Sequence, residues 1–64
     1  MADAEELKER IRKLQGTCMR LKLDLHDLSE ELPIGWESLP DLASRCHQAH
    51  LDLAQAKAAL ATIA

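Results

Sequence analysis

The chain has no Tyr and no Phe, and Trp36 is its single aromatic residue. Its apolar content is mostly Leu and Ala, which suit helices and fill a globular core poorly. A ligand pocket of roughly 300 Å³ or more is hard to wall with such material. There are two cysteines, Cys18 and Cys46, whereas small secreted scaffolds are stapled by four or more. No apolar run approaches the roughly 20 residues of a membrane span. The amino-terminal stretch from Asp3 to Glu6 is acidic and lacks the apolar centre of a signal peptide. These absences point to a soluble, cytoplasmic protein in a reducing compartment. Also missing are a Gly-rich phosphate loop, a Cys-x-x-Cys pair and a nucleophile matched to a base, so no enzyme is expected.

Length sets a further limit. A chain of 64 residues is one domain at most and buries only about 60% of the surface its unfolded form exposes. Such scaffolds rely on disulfides, a metal or oligomerisation. Charge is uneven: residues 1–22 hold six bases and four acids, residues 23–64 seven acids and two bases. That falls short of the basic stripe of a nucleic-acid binder. Lys8, Arg12, Lys13 and Arg20 would carry any RNA contact, but they spread around the helix and serve better to solvate it.

What is present is periodicity. Leu7, Ile11, Leu14, Cys18, Leu21, Leu25, Leu28 and Leu32 step alternately by four and three, an unbroken heptad seam. Pro33 ends it by pushing Leu32 out of helical geometry. A second seam runs through Leu39, Leu42, Cys46, Ala49, Leu53, Ala56, Leu60 and Ile63. Ser38, Pro40 and Asp41 give its start a cap, a first-turn proline and a reciprocal capping acid. The pattern predicts helix 1 over about 3–32, a linker over 33–38 and helix 2 over about 39–62. A linker so short makes the helices antiparallel. The chain therefore reads as all-α, one hairpin over residues 1–64. Folding it sets Leu28 by Leu42 and Cys18 by Leu53, leaving the two thiols about 10 Å apart, too far for a disulfide.

Each helix carries more apolar surface than one seam uses. Gly16, Met19, Leu23, His26 and Glu30 form a second stripe on helix 1; His47, Leu51, Ala54, Ala58 and Ala61 form one on helix 2. A lone hairpin cannot cover both, so a second copy is expected to complete a four-helix bundle. Gly16 costs about 1 kcal/mol inside a helix relative to Ala; close approach of a partner backbone is one reason for it, a tolerated imperfection the other. Trp36 is expected to close the open end as a lid over Leu32 and Leu39, or to anchor another protein.

Histidines are the remaining chemistry. His26 lies on the second stripe one turn from Glu30, so a two-fold axis near this face would pair two imidazoles around a divalent transition metal. A solvated or interfacial histidine is the plainer reading. His47 and His50 read as surface residues, since Cys46 belongs to the seam.

The elements Lys22-Leu23-Asp24-Leu25-His26-Asp27-Leu28, Leu32-Pro33 and Trp36-Glu37 carry a resemblance that helical periodicity does not require. With them, nearly the whole chain resembles a small Rop-like family of unknown function encoded within nitrogen-fixation gene clusters. The resemblance implies a dimerising antiparallel hairpin and makes His26 a divalent-metal ligand, for nickel, zinc or iron. It implies an accessory role, with a nitrogenase-assembly or electron-transfer protein as partner, and gives His47 and His50 nothing. Rop proper binds RNA, but no shared binding residues are seen here.

Overall fold

A computed structural model describes residues 3–63. Two α-helices, α1 (Ala4–Glu31) and α2 (Leu39–Ile63), are joined by a tight linker whose last part, Trp36–Ser38, is a 3-10 turn. The helices pack antiparallel into a rod of 46 × 15 × 15 Å. None of the described helices is long and apolar enough to cross a membrane.

The ends of each helix follow from local chemistry. Asp3 caps α1: its carboxylate accepts the Glu6 amide at 2.8 Å, and its carbonyl accepts from Leu7. Glu5 and Glu6 add negative charge to the positive end of the helix dipole. At the other end Leu32 takes an extended ψ of 141°, as a residue before proline must. α2 begins differently from expectation. The Leu39 amide bonds back to the Trp36 carbonyl, so the 3-10 turn runs straight into the helix and takes over the role expected of a Ser38 side-chain cap.

The seam is laid out as the heptads require. Every buried or half-buried residue of α1 from Leu7 to Leu28 falls on it, and so do all but Asp52 on α2. Among the described residues only Leu7, Cys18, Ala49 and Ala56 are fully buried, and none of these side chains is sealed completely. The interior is thus a strip one residue wide, with Leu and Ile flanks open to water. Both thiols are free. Two seam positions depart from expectation: Leu32 and Ile63 are exposed. Each lies at the end of its helix: Leu32 just past the end of α1, and Ile63 at the last residue of α2.

The linker closes the rod with backbone rather than with the indole. Ile34 bonds to Glu31, Trp36 to Pro33 and Ser38 to Gly35, in three successive turns. Gly35 adopts φ +79°, and a Cβ built there would stand 3.1 Å from Leu28 Cδ1. The Gly35 backbone therefore lies against Leu28. Trp36 is left 60% exposed and Ile34 75%, so Trp36 is no lid over Leu32.

Candidate interaction face and histidine pair

The two broad sides of the hairpin differ. In an antiparallel pair, residues at equal offsets from the two seams share a side. Residues one before a seam position, Thr17, Arg20, Asp24, Arg45, Gln48 and Asp52, line a shallow groove along one side with Leu21 and Ala49. That side is polar and charged. Residues one or two after a seam position, Gly16, Met19, Leu23 and His26 on α1 and His47, Leu51, Ala54 and Ala58 on α2, share the other. Met19 is 56% and Leu23 54% exposed, and Leu51 is exposed as well. Since Leu21 and Ala49 meet in one groove, Leu51 lies level with Met19. The apolar patch is therefore centred close to the middle of the rod.

Gly16 sits in this patch, and a Cβ added to it would meet nothing within 4 Å. Within one hairpin its missing side chain relieves no crowding. Trp36 stands apart from the patch, at the linker end beside Ile34 and Leu32, all three exposed. The expected partner-binding residues thus form two surfaces: a mid-rod face with Gly16, Met19, Leu23 and Leu51, and a tip with Trp36.

His26 and Glu30 are brought together. His26 Nε2 lies 3.5 Å from Glu30 Oε1, and Nδ1 lies 4.0 Å from Asp27 Oδ1. All three side chains are exposed, so each contact is a weak, screened one. An imidazole and a carboxylate one turn apart are two ligands of the kind a divalent transition metal accepts. Among the described residues, no group of three or more His, Cys, Asp or Glu side chains is placed to hold a metal ion.

His50, read from the sequence as a surface residue, lies against Cys46 one turn before it. Its Nδ1 lies 2.9 Å from the Cys46 carbonyl oxygen and 3.9 Å from Cys46 Sγ. A carbonyl only accepts, so Nδ1 is the donor in this contact. The i, i+4 spacing of Cys46 and His50 was the available signal. The basic residues are partly engaged: Lys8 with Glu5, Arg12 with Glu9 and Arg45 with Asp41. Arg12 donates to Glu9 at 2.6 Å; this hydrogen bond first, and the charge of the guanidinium second, holds the Glu9 carboxyl below the ordinary glutamate range.

A family model described as Rop-like matches residues 2–64. The chain belongs to the Rop-like family. This Rop-like chain is 54% identical over 52 residues to a Frankia alni protein named as a UPF0437 protein in the nifX-nifW intergenic region; the match covers 81% of this chain and 63% of that protein. The chain thus spans less than two thirds of that relative's length. It is 43% identical to UPF0437 protein y4xE of Sinorhizobium fredii, covering 95% and 91% of the two chains. A UPF0437 protein of Azorhizobium caulinodans is 39% identical, covering 89% and 83%. No solved structure matches the Rop-like chain.

Proposed function

We propose that the chain is a non-enzymatic accessory protein of nitrogen fixation, acting as a homodimeric helical module that binds a nitrogenase-assembly or electron-transfer protein. The observation that carries the nitrogen-fixation part is the Frankia alni relative, named for the nifX-nifW intergenic region. The homodimer part is supported by the mid-rod face: Met19, Leu23 and Leu51 stand exposed in a row that one hairpin leaves uncovered. A second copy covers that face, and the exposed Trp36 tip remains for the partner. Deleting the gene tests the first part. Growth without fixed nitrogen should slow while growth on ammonium stays normal; equal growth in both media would refute it. Sedimentation equilibrium tests the second, where a monomer at about 100 μM would refute it.

A second reading rests on the 3.5 Å approach of His26 and Glu30: the dimer binds a divalent metal such as nickel, zinc or iron through these residues. Native mass spectrometry of the zinc-loaded dimer checks it. Zinc should be lost in His26→Ala and kept in His47→Ala; retention in His26→Ala refutes it. An RNA-binding role is a weaker reading, because Lys8 and Arg12 are paired with Glu5 and Glu9.

A further inference from the structure

We propose that Cys46 and His50 form a binding site for a thiophilic monovalent cation, Cu(I), at one ion per chain. Both residues lie on α2, so the site depends neither on a second copy nor on the His26–Glu30 pair. Cys46 stands at a seam position and is half-buried, while His50, four residues on, is exposed. One turn of helix sets the two side chains on one face. Cys46 Sγ lies 3.9 Å from His50 Nδ1.

That separation suits a single bridging ion. Metal–thiolate and metal–imidazole bonds run about 2.3 and 2.0 Å. They hold the two donors about 3.5 Å apart at a tetrahedral angle and about 4.3 Å apart when collinear. The observed distance falls between these limits, so an ion enters with small side-chain rotations and no movement of the helix. Nδ1 faces the Cys46 carbonyl oxygen at 2.9 Å, and this contact is given up on binding. The carbonyl keeps its helical bond from the His50 amide, so it is not left without a donor. In a neutral imidazole the proton moves from Nδ1 to Nε2, and the thiol loses its own. One proton is released per ion bound, and no electron moves.

Ligand type and number select the ion. Thiolate favours Cu(I) and zinc, and imidazole accepts both metals. Zinc takes three or four protein ligands. Among the described residues no group of three or more His, Cys, Asp or Glu side chains is placed to hold a metal ion, so zinc would be left with two. Cu(I) is satisfied by two soft donors. Charge agrees with this choice. Leu21 and Ala49 line one groove, so Lys22 and His50, each one residue further on, stand level on the side away from it. The Lys22 ammonium opposes a divalent ion more strongly than a monovalent one. Thiolate and Cu(I) together are neutral.

Cys18 supplies the comparison within the same chain. It too is a seam thiol, but it is buried, and the residue four beyond it is Lys22, which donates no lone pair when charged.

The full chain, reduced and free of oxygen, is titrated with Cu(I) against the chromophoric chelator bicinchoninate, and native mass spectrometry counts the ions. One Cu(I) per chain should be held, with a thiolate-to-copper band in the ultraviolet. X-ray absorption should show one sulfur and one nitrogen on the metal. Cys46→Ser should abolish binding. His50→Ala should weaken it about tenfold or more, the least that losing even an outer-shell partner costs a metal site. His50 is exposed, so its variant keeps the fold, and circular dichroism verifies this for every variant. Cys18→Ser, His26→Ala and His47→Ala should hold copper as the unaltered chain does. A chain that yields all its Cu(I) to the chelator, or undiminished affinity in His50→Ala, overturns the proposal. So does copper lost in Cys18→Ser and kept in Cys46→Ser. Displacement of Cu(I) by an equal concentration of zinc overturns the choice of ion.

Discussion

The two glycines should respond to alanine with opposite signs, and the structure gives the size of each effect. Gly35 holds φ +79°, a left-handed conformation that costs an L-residue about 1–2 kcal/mol. Its new Cβ would stand 3.1 Å from Leu28 Cδ1, the far end of a flexible side chain that yields at small cost, so the backbone term dominates. For a domain of this size 1 kcal/mol is worth about 7 °C in Tm. Gly35→Ala should therefore lower Tm by about 7–15 °C, and Gly35→Asn by less, since Asn tolerates this region. Gly16 is the counterpart. It lies inside α1 with open space where a Cβ would go, so Gly16→Ala should gain about 1 kcal/mol of helix propensity. The assay is thermal unfolding followed by circular dichroism at 222 nm, at dilutions where the chain is monomeric. Both variants should be repeated at high concentration. There the Gly35 deficit persists, while the Gly16 gain shrinks if a second copy approaches that backbone closely. An unchanged or raised Tm for Gly35→Ala would refute the reasoning, because the linker could not then be held in this turn.

Replacing Met19 and Leu23 together by Lys should weaken dimerisation by roughly 30- to 1,000-fold, corresponding to about 2–4 kcal/mol of lost apolar burial. Sedimentation equilibrium reads the loss, and undiminished dimerisation would show that another face is used. The Glu9 carboxyl should titrate below the ordinary glutamate range in a carbon-detected NMR titration and return to it in Arg12→Ala. Its depressed pKa makes the Arg12 contact a contribution present above the unfolded glutamate pKa and lost as pH falls through the folded one. Failure of Arg12→Ala to move it would reject the hydrogen bond as the cause. Trp36, the single fluorophore, should be quenched more strongly by caesium than by iodide, because the linker end around it is acidic. Preference for iodide would contradict an acidic linker end, where residues 23–44 hold six acids and no Lys or Arg.

The hairpin was legible because one physical constraint, a strip of contact between two helices, imposes one spacing. The alternation of four and three from Leu7 to Leu28 is the same alternation that the buried residues show. It failed at Leu32 and Ile63, where the spacing continues but the helix itself ends. Spacing records which face a residue is on, not whether anything lies across from it. The tip was misread for a related reason. Exposure of Trp36 depends on how tightly 33–38 turns, and that is set by the left-handed Gly35, which carries no periodic signal. The Asp3 cap was in reach, since Asp3 and Glu6 have the spacing of a capping box. His26 and Glu30 were legible as neighbours from their i, i+4 spacing alone. A partner's identity had no such trace, because exposed Met19, Leu23 and Leu51 mark an uncovered apolar face and say little about what would fit it.

A strip of contact one side chain wide has consequences for how long the molecule lasts. With none of the described side chains sealed from water, the hairpin has no dry centre that must be breached before its amides meet solvent or a protease. Whatever settles on its uncovered flank stabilises it in proportion to how much of that companion is present. Degradation of such a chain tracks how often it opens, so a hairpin left without cover on that flank would be cleared before a covered one.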